Sequence, residues 1–192
     1  SILKDNGGNT WLARFQKGSM MIPAQSNNFS YIGHKSISKN FIGSSCITSF
    51  FRDKDNYLWI GTDTDGLYGI TPNETFYKHF SSGNNNQTVP PSIMCVYEDS
   101  ERNLWIGSYT KGVATIDRRT GKCSYLNSLK DSKGKSVQRV YSLAEDSNKR
   151  LWIASMGSGI FYYDMKAKDI KFPKEINRDN RWVNCLIYSP RD

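Results

Sequence analysis

The sequence predicts an all-β protein made of four consecutive copies of one four-stranded antiparallel unit, and three observations predict it. Four of the five tryptophans recur in register, Trp11, Trp59, Trp105 and Trp152, at spacings of 48, 46 and 47 residues. An aspartate stands six residues before each (Asp5, Asp53, Asp99, Asp146) and a glycine seven residues after each (Gly18, Gly66, Gly112, Gly159). Around these marks, runs rich in β-branched and aromatic residues alternate with short polar clusters, as strands and turns require. Four strands in a period of about 46 residues are the signature of a β-propeller blade, in which sheets stack face to face around an axis. The fold class is a partial β-propeller with blades over about 1–46, 47–92, 93–139 and 140–182.

Within a blade, the first strand ends at the aspartate, as in Ile93-Met94-Cys95-Val96-Tyr97-Glu98. The aspartate opens a tight polar turn, where its carboxylate can accept from the backbone amides ahead of it. The second strand carries Leu58-Trp59-Ile60-Gly61, Leu104-Trp105-Ile106-Gly107 or Leu151-Trp152-Ile153-Ala154, with Thr10-Trp11-Leu12-Ala13 a weaker copy. Successive apolar residues mean cover on both faces. The small residue two places after each Trp (Ala13, Gly61, Gly107, Ala154) marks a close approach by another sheet. The glycine closes a second hairpin by supplying positive φ. Third strands follow at Leu67–Ile70, Val113–Ile116 and Ile160–Tyr163, and more polar fourth strands at Phe29–Tyr31, Lys122–Tyr125 and Asp169–Phe172.

Both chain ends fall inside a blade. Ile47, Ile93 and Val140 stand twelve residues before a Trp, and Val183 continues that series, so 183–192 reads as the first strand of a further blade. The expectation is a segment of a longer array that associates with the remaining blades of its parent, and with itself when isolated.

Composition narrows the function. The chain has 192 residues, 38% hydrophobic, with no apolar run long enough for a membrane helix, and no insertion into a membrane is expected of it. The net charge of +8 concentrates between Arg118 and Arg139, with no nucleic-acid motif around it; a solvated hairpin edge and loop are expected, and no nucleic-acid partner. Cys46, Cys95, Cys123 and Cys185 form no CxxC pair, so they read as buried or half-buried residues rather than a metal site. Asp63-Thr64-Asp65-Gly66 resembles the start of a calcium loop, but its register is that of a plain hairpin. His34 and His79 lie at different phases with no evident carboxylate partner and read as surface residues. No catalytic residue, metal or cofactor is expected.

Tyr97-Glu98-Asp99-Ser100-Glu101-Arg102-Asn103-Leu104-Trp105-Ile106-Gly107 and the matching stretch from Leu143 to Ser155 resemble the two-component-regulator propeller repeat. The first unit is degenerate, with an off-pattern turn at Asn6-Gly7-Gly8. The resemblance implies the periplasmic sensor region of a bacterial hybrid two-component system of the Bacteroidetes type. Such a region binds oligosaccharides and signals to a kinase that lies outside this chain. The repeat motif is structural, so it transfers no ligand contact.

Ligand contacts are sought in the loops from second to third strand and from blade to blade. Trp182, the one tryptophan outside the register, is flanked by Arg181 and Asn180; Tyr109 and Lys111 lie in the second-to-third loop of the third blade. An aromatic among planar polar groups suits a sugar ring. The alternative for Trp182 is packing on the next blade's first strand. A carbohydrate-responsive sensor, a protein-interaction scaffold and a propeller lyase are the competing functions; the lyase would need a His with a carboxylate partner at a blade end.

Overall fold

A computed structural model describes residues 2–13, 19–22, 24, 42–43, 45–72, 76–83, 87–176 and 181–189. It contains fifteen β-strands and, among these residues, no helix. Two units are distinct, Ser1–Phe41 and Ile42–Asp192. In the smaller one, β1 (Ile2–Lys4), β2 (Thr10–Ala13) and β3 (Ser19–Ile22) form an antiparallel sheet in the order β1-β2-β3. Its expected fourth strand, Phe29–Tyr31, together with Gly18 and His34, lies outside the described residues.

The larger unit holds three four-stranded antiparallel sheets. Blade 2 is β4 (Ile47–Arg52), β5 (Leu58–Thr62), β6 (Leu67–Ile70) and β7 (Phe76–Phe80). Blade 3 is β8 (Ile93–Glu98), β9 (Leu104–Ser108), β10 (Val113–Ile116) and β11 (Cys123–Tyr125). Blade 4 is β12 (Val140–Glu145), β13 (Arg150–Ser155), β14 (Gly159–Asp164) and β15 (Asp169–Lys171). Strands pair in chain order within each sheet. The register slips by one residue at the same place in each first strand, between Ile47 and Ser49, Ile93 and Cys95, and Val140 and Ser142. Such a bulge adds local twist to the strand.

The apolar core lies between blades. Trp59, Phe80, Val89, Ile93, Val96 and Ile106 pack together across blades 2 and 3. Trp105, Val137, Val140, Leu143 and Phe161 do so across blades 3 and 4. Gly107 shows why the second strand carries a small residue: a Cβ there would stand 2.5 Å from Cys95 Sγ and 2.8 Å from Val140 Cγ1 of the next blade. Cys95 and Cys123 are covered, and burial pushes both thiols up to about 12. Cys46 and Cys185 are exposed, contrary to the sequence expectation, because they sit in connections outside any strand.

The aspartates fold as one motif. Asp99 Oδ1 accepts from Glu101 N at 2.9 Å and Asn103 N at 2.8 Å, while Oδ2 accepts from Asn103 Nδ2 at 2.9 Å and Trp105 Nε1 at 2.8 Å. Asp53 and Asp146 repeat the amide and indole bonds with Trp59 and Trp152. The third residue after the aspartate has positive φ each time, at Asn56, Arg102 and Lys149. The first unit's turn, irregular in sequence, is regular in geometry: Gly8 has φ 83° at that position, and Asp5 Oδ1 accepts from Gly7 N and Asn9 N at 2.9 Å. Glycine there supplies the left-handed residue without a steric penalty.

Residues 183–189 form no strand among the described residues, contrary to expectation, because a ladder needs a second strand and none pairs with them. The segment still touches blade 4, where Leu186 N donates to Ser142 Oγ at 3.0 Å.

Candidate ligand-binding site

Antiparallel pairing gives blades 2 to 4 two unlike ends. One carries the aspartate turns and the third-to-fourth-strand turns. The other carries the β5–β6, β9–β10 and β13–β14 turns and the blade-to-blade connections.

At the aspartate end, charges are paired both within and across blades. Glu98 Oε2 accepts from Lys54 N of blade 2 at 2.8 Å, and Glu145 Oε2 accepts from Ser100 N of blade 3 at 2.6 Å. Arg118, on the β10–β11 turn, reaches Glu98 Oε1 at 2.6 Å and Asp53 Oδ2 at 3.2 Å. Arg102 meets Asp55 and Glu98, and Arg150 meets Asp146 at 2.7 Å. Burial opposes ionisation of Glu98, but the Arg118 guanidinium and the Lys54 amide outweigh it and hold its carboxyl below the usual range. Arg118 is thus an interblade clamp rather than part of a solvated edge, because buried Glu98 of its own blade and buried Asp53 of blade 2 both lie within its reach. Arg119, Lys122, Lys130, Lys133, Lys135 and Arg139 are exposed as expected.

At the loop end, the connections are tied by backbone hydrogen bonds. Tyr109 N donates to Ser92 O at 3.2 Å, Arg139 N to Tyr109 O at 2.9 Å, Met156 N to Arg139 O at 3.0 Å and Gly157 N to Arg181 O at 2.8 Å. Tyr109, Arg139, Arg181 and Trp182 are thereby brought into one row across blades 3 and 4. Tyr109 is 42% exposed and Trp182 63% exposed, and Trp182 bridges Met156. The Arg139 guanidinium lies 5.8 Å from the Tyr109 ring centre. Beside the row is a cleft of about 330 Å³, lined by Lys111, Tyr125, Asn127, Leu129, Ser136 and Gln138 among others. That volume is at the lower end of the range for small-molecule sites. Lys111 Nζ stands 5.7 Å from the Tyr125 ring centre at its wall.

Of the residues expected from the sequence, Tyr109, Lys111, Arg181 and Trp182 therefore share this end, while Asn180 lies outside the described residues. Arg139 and the 126–138 loop were not singled out by sequence. A signal for Arg139 existed: Cys46, Ser92, Arg139 and Trp182 each immediately precede the first residue of the Ile47, Ile93, Val140 and Val183 series.

His79 is exposed as expected, but it has a carboxylate partner. Its Nε2 lies 3.3 Å from Asp65 Oδ1 and 2.8 Å from Asp65 O, and its ring stacks on Tyr68 at 4.0 Å. The pairing comes from β7 lying beside β6, which sets His79 opposite Tyr68. The Tyr68 hydroxyl donates to Asp65, and burial with that hydrogen bond raises it to about 12. The Asp63–Asp65 stretch is a hairpin turn, with Asp65 N donating to Thr62 Oγ1 at 3.0 Å. Among the described residues no cluster of His, Cys, Asp and Glu has metal-site geometry.

The two-component-regulator propeller family model matches residues 42–64, 89–110 and 134–157, the first strand and Asp–Trp segment of blades 2, 3 and 4. Among solved structures, the chain is similar to the extracellular domain of the hybrid two-component system BT4673 from B. thetaiotaomicron, with 25% identity over 87% of this chain and a TM-score of 0.61. It also has the fold of the extracellular domain of the hybrid two-component system BT3049 from the same organism, with 18% identity over 88% of the chain and a TM-score of 0.54. The chain spans 22% and 24% of the length of those two chains. No curated protein matches it.

Proposed function

We propose, from the premise that this chain belongs to the two-component-regulator propeller family, that it is a ligand-sensing segment of a periplasmic sensor and that its ligand is an oligosaccharide held at the loop end of blades 3 and 4. The observation that carries the site is the row of exposed Tyr109 and Trp182 with Arg139 and Arg181, fixed by backbone bonds beside the cleft. Aromatic faces take the apolar face of a sugar ring, and the guanidinium groups donate to its hydroxyls. Burying both on a ligand would couple two blades. The kinase that reads such a change lies in the parent protein outside these residues.

No step in this role calls for catalysis. The His79–Asp65 pair meets the one condition a lyase reading set, but it sits on the outer strand of blade 2, whereas the cleft lies between loops of blade 3. Thermal-shift measurement of this chain against short oligosaccharides tests the reading, since a ligand that binds the folded state raises Tm. A stabilising sugar whose effect is lost in Trp182→Ala is expected. Unchanged binding in that variant removes the site; no stabilisation by any sugar removes the ligand class and favours a protein-interaction scaffold.

A further inference from the structure

We infer that the ligand of the loop end is anionic, a carboxylated or sulfated oligosaccharide gripped by Arg139, Arg181 and Lys111; this rests on the oligosaccharide reading and narrows it. The two ends of the blades treat cations differently. At the aspartate end, Arg102, Arg118 and Arg150 each pair with a carboxylate. At the loop end, no carboxylate among the described residues pairs with Arg139, Arg181 or Lys111. Arg181 Nη1 donates to Ser132 Oγ at 3.3 Å, and Arg139 and Lys111 lie over tyrosine rings.

The 126–139 loop adds Lys130, Lys133 and Lys135, against one acid, Asp131. Asp131 offsets one of these charges: its carboxylate accepts from Lys135 N at 2.9 Å and Lys133 N at 2.8 Å, and these amides with the two lysine charges hold its pKa below the usual range. The 126–139 loop beside the cleft therefore carries net positive charge.

Arg139 is built in as well as charged. Its N–H and C=O are both used to join neighbouring loops, and it holds φ 53°, in the left-handed region that non-glycine residues rarely adopt. Gly157 stands beside it, where a Cβ would lie 4.0 Å from Nη1, the nearest atom to that position. A side chain fixed at its root, with its fork over an aromatic ring and paired with no acid among the described residues, is suited to a planar carboxylate or a sulfate, which guanidinium binds bidentately.

Calorimetric titration of the whole chain decides this, using trigalacturonate, a sulfated galactan trisaccharide, neutral maltotriose, inorganic sulfate and a short DNA duplex as probes. At least one acidic trisaccharide should bind tenfold or more tighter than maltotriose, weaken as salt rises, and lose tenfold in Arg139→Gln. Which acid wins distinguishes carboxylate from sulfate. Lys111→Gln, with an intact backbone at Arg139, should lose a smaller factor and serves if Arg139→Gln fails to fold. Binding of maltotriose at equal strength overturns the anionic inference and leaves the sugar reading standing. Silence from all three sugars overturns both. Sulfate alone matching the trisaccharides means an adventitious ion only, and DNA binding as tightly as the sugars means a generic polyanion surface; either overturns the inference.

Discussion

The two ends of the same three blades are built from the same strands yet follow opposite rules. At the aspartate end, each blade repeats one carboxylate, one indole and one left-handed residue, and Glu98, Glu145 and Arg118 each reach across to a neighbouring blade. At the loop end, equivalent positions hold Cys46, Ser92, Arg139 and Trp182, four different residues ranging from small to the largest. Repetition marks what stacking requires of every blade, because each must present the same face to the next. Divergence marks positions released from that requirement. A ligand site belongs among the second kind.

If this division is right, the largest losses of stability come from the repeated end. Asp99 is fully buried and accepts four hydrogen bonds. Asp99→Ala would orphan the Trp105 indole and two backbone amides, at a cost of about 3 kcal/mol or more. Urea denaturation should show it as a lower midpoint. Gly107→Val comes next: the new methyls would collide with Cys95 and Val140, and overpacking of this kind costs about 1–3 kcal/mol. Neither change should alter ligand affinity in protein that remains folded, and a selective loss of binding would break the division.

Arg118→Met separates the interblade clamp from the turns it joins. It removes the ion pairs to buried Glu98 and Asp53, and about 1–2 kcal/mol is expected at neutral pH. Its pH signature is more telling. Folding holds Glu98 below its ordinary pKa, so its stabilisation is complete above about pH 4.3 and is lost as the pH falls below that value. Removing Arg118 brings Glu98 back toward its ordinary pKa and should flatten this acid limb. Urea midpoints of parent and variant between neutral pH and pH 3 check it; a parallel offset at all pH values would show that Arg118 acts by packing alone.

The architecture was legible because it repeats. Trp59, Trp105 and Trp152 announced themselves by spacing, and so did the aspartates that hold them. Local chemistry at single copies was harder to read. Asn6-Gly7-Gly8 looked irregular, but any chain with an aspartate acceptor and a glycine at the left-handed position can make that turn. Arg118 looked solvated because its partners, Glu98 of its own blade and Asp53 of blade 2, lie 20 and 65 residues away in sequence. His79 looked isolated because β7 and β6 set it against Tyr68 and the turn at Asp65, a neighbour no periodicity displays. Of the proposed site, Tyr109, Lys111, Arg181 and Trp182 were legible in the sequence, and Arg139 was not. The cleft was not, since it forms only when the 126–138 loop folds over the β9–β10 turn.

The smallest expected effect on stability is the most informative about function. Tyr109→Ala and Trp182→Ala each remove an exposed ring, and substitutions of that kind usually move stability by no more than about 0.5 kcal/mol. For Tyr109 the backbone bonds that place it, from its N–H to Ser92 and to its carbonyl from Arg139, do not involve the side chain and should persist. Matching urea midpoints for both variants and the parent, together with weaker sugar binding, would assign the rings to recognition. A loss of about 2 kcal/mol in Trp182→Ala would instead assign that ring to holding the 181–189 segment on blade 4, as a packing residue of the kind found at the aspartate end. The site would then contract to Tyr109, Arg139 and Lys111 around the cleft, and the boundary between the repeated and the divergent end would run through blade 4 rather than beyond it.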